Sequence, residues 1–186
     1  MNVTPTEIPD IKLIEPRLFG DERGYFFESW NKQDFSKHGI FADFIQDNIS
    51  KSRFGVIRGL HYQLPPYTQA KLVRVISGKV LDVAVDIRKN SPYFGRHVAV
   101  ELSGENKRAL YIPRGFAHGF AVLSDEVIFT YKCDNTYMPS HERGIAFDDH
   151  ELDIDWQLTD ADIILSDKDR NNPAFAGAEI PDIWQV

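Results

Sequence analysis

At 186 residues the chain is the size of about one domain, and a domain of this size buries roughly 70% of the surface its unfolded chain exposes. Its 42% hydrophobic and 26% charged residues are those of an ordinary globular protein, which excludes disordered and fibrous classes. A net charge of −7 excludes broad binding to nucleic acid or an anionic membrane, so any anionic ligand must be held by a local cluster of cations. The single cysteine, Cys133, has no partner for an intramolecular disulfide and no neighbouring histidine to activate it, and is expected to be a buried structural thiol. There is no apolar run of about 18 residues, and residues 1–16 lack the basic start and apolar middle of a secretory signal. A cytoplasmic location without a membrane partner is therefore expected.

Residues 8–14 and 24–30 are expected to be strands flanking a loop that carries Arg17 and Arg23 and contains Gly20 and Gly24. The stretch 31–38 predicts a short helix, started by Asn31, ended by Gly39, with Phe35 facing inward. From Phe44 the β signal dominates, with strands expected at 44–50, 54–63, 71–77, 80–87, 96–102, 108–112, 119–123 and 126–134. Breakers separate most of them, such as Ser77-Gly78 and the stretches 89–92 and 103–106. Short strands at roughly ten-residue spacing, without amphipathic helices between them, predict an all-β sandwich or barrel. In 80–87, Leu81, Val83, Val85 and Ile87 share one face, which should be packed, while Val80, Asp82, Ala84 and Asp86 share a face polar enough for water or a ligand. Alternation does not assign Asp82 to cavity or solvent. Residues 147–186 are acidic and loop-rich, with a short helix near 160–164, and are expected to cover the barrel as a flap or outer layer.

The stretch 58–88 embeds a histidine, a lysine and arginines among runs of Val, Ile and Leu. Its outline is a His-x-Gln step at 61–63, then Lys71 with six residues between it and Gly78, followed later by Pro-x-Gly-x-x-His at 113–118. These are the two halves of a cupin signature, but Gln63 and Lys71 stand where a metal cupin presents a histidine and a glutamate. Only His61 and His118 survive from the ligand positions, and an ammonium repels a cation, so no metal is expected. Lys71 reads either as a surface lysine or as a buried electrophile that stabilises an enolate oxygen. His61 alone would be an ordinary strand histidine; its company makes it a candidate base. Tyr131, sharing a face with Val127, Phe129 and Cys133, reads equally as a core tyrosine or as a proton donor in a sugar-sized cavity. Arg23, Arg58 and Arg74 are candidates for a diphosphate, against the alternative of solvated surface arginines. No GxGxxG or GxxxxGK[ST] loop is present, so phosphate would be held by side chains. Asp167, Lys168 and Asp169 read equally as a solvated charge run.

Taken together, the segments FGDERGYFFESW, FIQDNIS, GVIRGLHYQ, QAKLVRVISGKVLDVAVDIR, YIPRGFAHGF and LSDKD closely resemble the dTDP-4-dehydrorhamnose 3,5-epimerase family, cupin-fold enzymes of dTDP-L-rhamnose synthesis. The likeness runs over nearly the whole chain. It implies one cupin-type jelly-roll domain over 1–186, with N-terminal strands in about 1–50 reaching across a homodimer interface. It implies that His61 is the general base, paired with Asp169, and that Tyr131 is the general acid on the opposite face of the sugar. Lys71 and His118 would line the sugar site. Arg23, Glu28, Gln46, Asp47, Asn48, Arg58, Glu142 and Lys168 match substrate-binding positions, and Phe19, Phe26 and Tyr137 are candidates to stack on thymine. The implied activity is cofactor-free inversion at C3 and C5 of dTDP-4-dehydro-6-deoxy-D-glucose, whose protons at those carbons are acidified by the C4 carbonyl. The residues leave two alternatives open: a single-centre 3- or 5-epimerase, and a non-catalytic cupin that binds sugar nucleotides.

Overall fold

In the computed structural model, which describes residues 1–182, the alternating segments build two antiparallel sheets stacked face to face. The first half of the chain contributes β1 (Asn2–Pro5), β2 (Lys12–Glu15), β3 (Phe19–Asp21), β4 (Gly24–Phe26), helix α1 (Lys32–Ser36), β5 (Gln46–Arg53), β6 (Ile57–Gln63), β7 (Lys71–Ser77) and β8 (Lys79–Asp86). The second contributes β9 (His97–Ser103), β10 (Ala109–Ile112), β11 (Phe116–Val122), β12 (Glu126–Cys133), β13 (Glu142–Gly144) and helix α2 (Asp167–Arg170). One sheet has the order β1-β2-β10-β7-β12-β5 and the other β13-β6-β11-β8-β9, while β3 and β4 form a separate hairpin. Sheet neighbours are mostly remote in sequence, as in the expected jelly-roll sandwich.

Strand alternation sorts the side chains into three apolar layers. Between the sheets, Val73, Val75 and Phe129 of the six-stranded sheet meet Val80, Ala84, Phe116 and Phe120 of the five-stranded one. On the outer face of the five-stranded sheet, Leu81, Val83, Val85 and Ile87 are covered by Leu152, Trp156 and Phe175. On the outer face of the other sheet, Trp30, Phe35 and Ile40 pack against Ile14, Leu72 and Ala109. Both faces of β8 are therefore buried, which corrects the expectation of one polar face. Asp82 shares its face with Val80 and Ala84 and points between the sheets.

Local chemistry accounts for the helices. Asn31 caps α1, its Oδ1 accepting from the Gln33 and Asp34 amides at 3.0 and 3.3 Å. The helix expected near 160–164 does not form. Thr159 Oγ1 donates to Asp162 at 2.6 Å in a turn, and Ile164 bridges Val56 as an extended residue. The helix lies instead at α2, where Ser166 accepts from the Asp169 amide at 3.1 Å. The N-terminal strands are shorter than expected: the strand sought over 8–14 begins at Lys12, because Ile8 and Ile11 are joined by a tight turn, and the one sought over 24–30 stops at Phe26. Arg74 shares its face with Leu72 and Ile76, outside the sandwich, with its guanidinium 5.1 Å from the Phe27 ring. It cannot reach a ligand between the sheets. Of the expected covering segment, residues 183–186 lie outside the described residues.

Candidate active site

Four inward-facing positions converge between the sheets: His61 on β6, Lys71 at the start of β7, His118 on β11 and Tyr131 on β12. His61 and His118 are cross-strand partners, and Tyr131 lies opposite Val73 on one side and Asn48 on the other. With Arg58, Lys168 and Asp169 they line a cavity of about 450 Å³, within the range of small-molecule sites. A smaller chamber of about 90 Å³ shares His61, Lys71 and Tyr131 and adds Gln63, Tyr137 and Glu142. The two histidine strands approach closely because glycines face each other: a Cβ on Gly59, whose φ is +137°, would lie 2.5 Å from Gly119 Cα. The register slips between His118 and Phe120 at that point.

Each histidine has its own carboxylate. His61 Nε2 lies 2.5 Å from Asp169 Oδ1, and Asp169 Oδ2 accepts from Ser166 Oγ at 2.9 Å. Burial alone would raise the Asp169 pKa, but the bond to His61 and the bond from Ser166 hold it below the ordinary value. With Nε2 engaged, Nδ1 of His61 is the nitrogen available to take a proton. His118 Nε2 lies 3.0 Å from Asp82 Oδ2, and Asp82 is wholly buried (0% exposed). Burial lowers the His118 pKa against the opposing pull of Asp82, with Lys71 and His61 adding to the lowering, which favours the neutral ring.

Lys71 makes no ion pair among the described residues. Burial lowers its pKa, opposed by Cys133, Asp82 and Glu142. Burial has the opposite effect on Tyr131, raising its pKa and keeping its proton in place. The same cause pushes the Cys133 thiol up to about 11, which makes it inert, as its sequence context suggested. At the cavity edge Arg58 Nε donates to Ser52 Oγ at 3.0 Å, linking the two sheets. Glu142 accepts from the Tyr137 hydroxyl at 2.6 Å and pairs with Lys168 Nζ at 2.5 Å. Burial would raise its pKa, but these bonds keep it lowered.

The other sequence candidates are dispersed. Gln46 and Asn48 lie on the inward face of β5, 2.9 Å apart. Asp47 points outward, with Lys132 Nζ at 2.8 Å. Arg23 sits beside the tip of the β3–β4 hairpin with its side chain 84% exposed and bonded to Asp21, and neither it nor Glu28 lines the cavity of its own chain. Sequence reasoning missed Ser166 and the placement of Asp82. The Ser-x-x-Asp spacing at 166–169 is a helix-start signal that would have found the first. Among the described residues no group of three or more His, Cys, Asp or Glu could hold a metal ion, and no helix is long and apolar enough to cross a membrane.

A family model described as dTDP-4-dehydrorhamnose 3,5-epimerase matches residues 5–177. The chain is 56% identical over 180 residues to the dTDP-4-dehydrorhamnose 3,5-epimerase of Shigella flexneri, covering 96% of this chain and 98% of that protein. The crystal structure of dTDP-4-dehydrorhamnose 3,5-epimerase from Elizabethkingia anophelis aligns with a TM-score of 0.91 at 52% identity, over 95% of this chain and 97% of that one. The dTDP-6-deoxy-D-glucose-3,5-epimerase of Legionella pneumophila, solved in complex with dTDP-4-keto-L-rhamnose, aligns with a TM-score of 0.90 at 50% identity, over 93% and 92% of the two chains. The β-sandwich is thus the cupin type that the strand spacing and signature anticipated, and the chain belongs to the dTDP-4-dehydrorhamnose 3,5-epimerase family.

Proposed function

We propose that the protein inverts C3 and C5 of dTDP-4-dehydro-6-deoxy-D-glucose to give dTDP-4-dehydro-L-rhamnose, without a cofactor. The observation that carries this reading is the opposition of His61 and Tyr131 across one cavity, the first on the five-stranded sheet and the second on the six-stranded sheet. Inversion needs a base on one face of the carbon and an acid on the other, and two stacked sheets supply both. His61 Nδ1 takes the proton alpha to the carbonyl, and the electron pair moves onto the C4 oxygen. Lys71 stabilises that enolate oxygen, and Tyr131 returns a proton to the opposite face as the carbonyl re-forms. Base and acid are each worth about 10²–10⁴ in rate, and an oxyanion donor about 10²–10³.

Arg58 and Lys168 at the cavity edge serve the diphosphate, while Gln46, Asn48, His118 and Glu142 bind the remainder of the substrate; Asp47, turned outward onto Lys132, is left out of that set. Arg23 and Glu28, which stand away from their own chain's cavity, support a homodimer in which each N-terminal hairpin serves the partner's site. The exposed rings of Phe19 and Phe26 on that hairpin are available to stack on thymine. A cytoplasmic setting belongs to the same reading.

The test is NMR of the product formed from dTDP-4-dehydro-6-deoxy-D-glucose in deuterated water. Two deuterium-bearing inverted centres are expected. One inverted centre would mean a mono-epimerase, and no exchange at all would mean a binding protein.

A further inference from the structure

The oxyanion donor poses a problem of charge. Lys71 must be an ammonium to stabilise an enolate, yet burial favours its neutral form. The titratable groups that face the Lys71 region are Cys133 and Tyr131 from β12, Asp82 from β8, His118 from β11, His61 from β6 and Glu142 from β13. Burial favours the protonated forms of Cys133 and Tyr131 and the neutral form of His118. Glu142 already holds Lys168 and the Tyr137 hydroxyl, and the carboxylate beside His61 is held by that ring and Ser166.

Asp82 is different. It is completely buried, one oxygen is bonded to His118 Nε2 at 3.0 Å, and the other, Oδ1, has no hydrogen-bond partner among the described residues. A buried carboxylate with one oxygen unpartnered is unfavourable for folding alone, which points to a role in the site.

Resting on the epimerase reading above, we propose that Asp82 is a positioning residue for the enolate-stabilising step. Its carboxylate favours the ammonium form of Lys71 inside the sandwich, and its bond to Nε2–H of His118 fixes the tautomer that turns an Nδ1 lone pair toward the cavity. That lone pair accepts from the Lys71 ammonium or from a sugar hydroxyl, and so orients whichever it holds. Asp82 itself touches no substrate; it acts through Lys71 and His118. The step moves no proton to or from Asp82, so the balance of the reaction is unchanged.

The substitution Asp82→Asn keeps the shape and an acceptor for His118 but removes the charge. The expected result is a basic limb of the kcat profile shifted down by about 1–3 pH units, the range for loss of one close opposite charge. At pH 8 kcat should fall at least about 10-fold with KM little changed and with deuterium exchange slowed equally at C3 and C5. A purely structural role would lower the melting temperature and leave the pH profile in place. A second measurement needs no variant: NMR of the wild-type protein with labelled lysine and histidine should show Lys71 still an ammonium at pH 8 and His118 as the neutral Nε2–H tautomer. An Asn variant whose profile superposes on the wild type, or a neutral Lys71 at pH 8 in the wild type, overturns the proposal. Wild-type protein that exchanges neither centre overturns the epimerase reading instead, so the two failures are distinguishable.

Discussion

His61 and His118 are neighbours across a strand pair, yet their surroundings separate them. The His61 side chain is 26% exposed to the cavity and faces a carboxylate on the C-terminal segment, whereas the His118 side chain is 7% exposed and faces one on β8. Asp169 is the residue through which the first of these should be felt in both activity and stability. Its folded pKa is depressed, so its contribution to stability is fully present above the unfolded value of about 3.9 and is lost as pH falls through the lower folded value. In urea titrations the wild type should therefore lose stability below about pH 4, and Asp169→Asn should lose less over the same range. The same variant should lower kcat about 10²–10⁴-fold in a coupled assay, the scale of a general base. The damaged cupin outline singled out His61 and Lys71 in the sequence, whereas Tyr131 read equally as a core residue until the family resemblance was added. The partnership of His61 with Asp169 came only through the family resemblance, since 108 residues separate them and no local pattern brings an acidic turn to a particular strand. Asp82 was unplaceable for another reason: β8 is buried on both faces, so the polar side chains on one of them did not mark solvent.

At the level of elements, the close approach of β6 and β11 sets the spacing of the histidines. A Cβ at Gly119 would meet the Arg58 carbonyl oxygen at 2.8 Å and Gly59 Cα at 3.0 Å, both backbone atoms that cannot swing aside. Gly119→Ala should cost about 1–3 kcal/mol by overpacking. It should also lower kcat/KM by at least about 10-fold, because small displacements of catalytic groups are expensive. Thermal denaturation and steady-state kinetics check the two effects. The cap of α2 offers a milder perturbation. Ser166→Ala removes the acceptor for the Asp169 amide and should cost about 1 kcal/mol, with activity falling more than such a loss of stability explains, because Asp169 Oδ2 loses its donor as well. Strands β5 to β12 were legible because period-two alternation and Gly, Pro and Asn breakers mark them, whereas the three-residue β13 carries no such signal. The helix expected at 160–164 failed because Ile164 gained a bridge to Val56, a tertiary contact that local propensity does not contain.

For the molecule as a whole, the sandwich itself is the catalytic device. In the proposed mechanism each sheet carries one half of the proton chemistry, and the cavity between them holds the sugar. Arg23 and Glu28 lie outside that space in one chain, and the proposed homodimer would bring them to the partner's substrate. Mixing inactive His61→Asn protein with inactive Arg23→Ala protein, after subunit exchange, should restore about a quarter of wild-type activity: half of the dimers are hybrids, each with one intact site. No recovery would place Arg23 in its own chain's site. Deuterium incorporation followed by NMR separates the work of the two sheets. Wild-type protein should exchange and invert C3 and C5, Tyr131→Phe should exchange yet invert poorly, and His61→Asn should exchange neither. Exchange at the wild-type rate in His61→Asn would contradict the account.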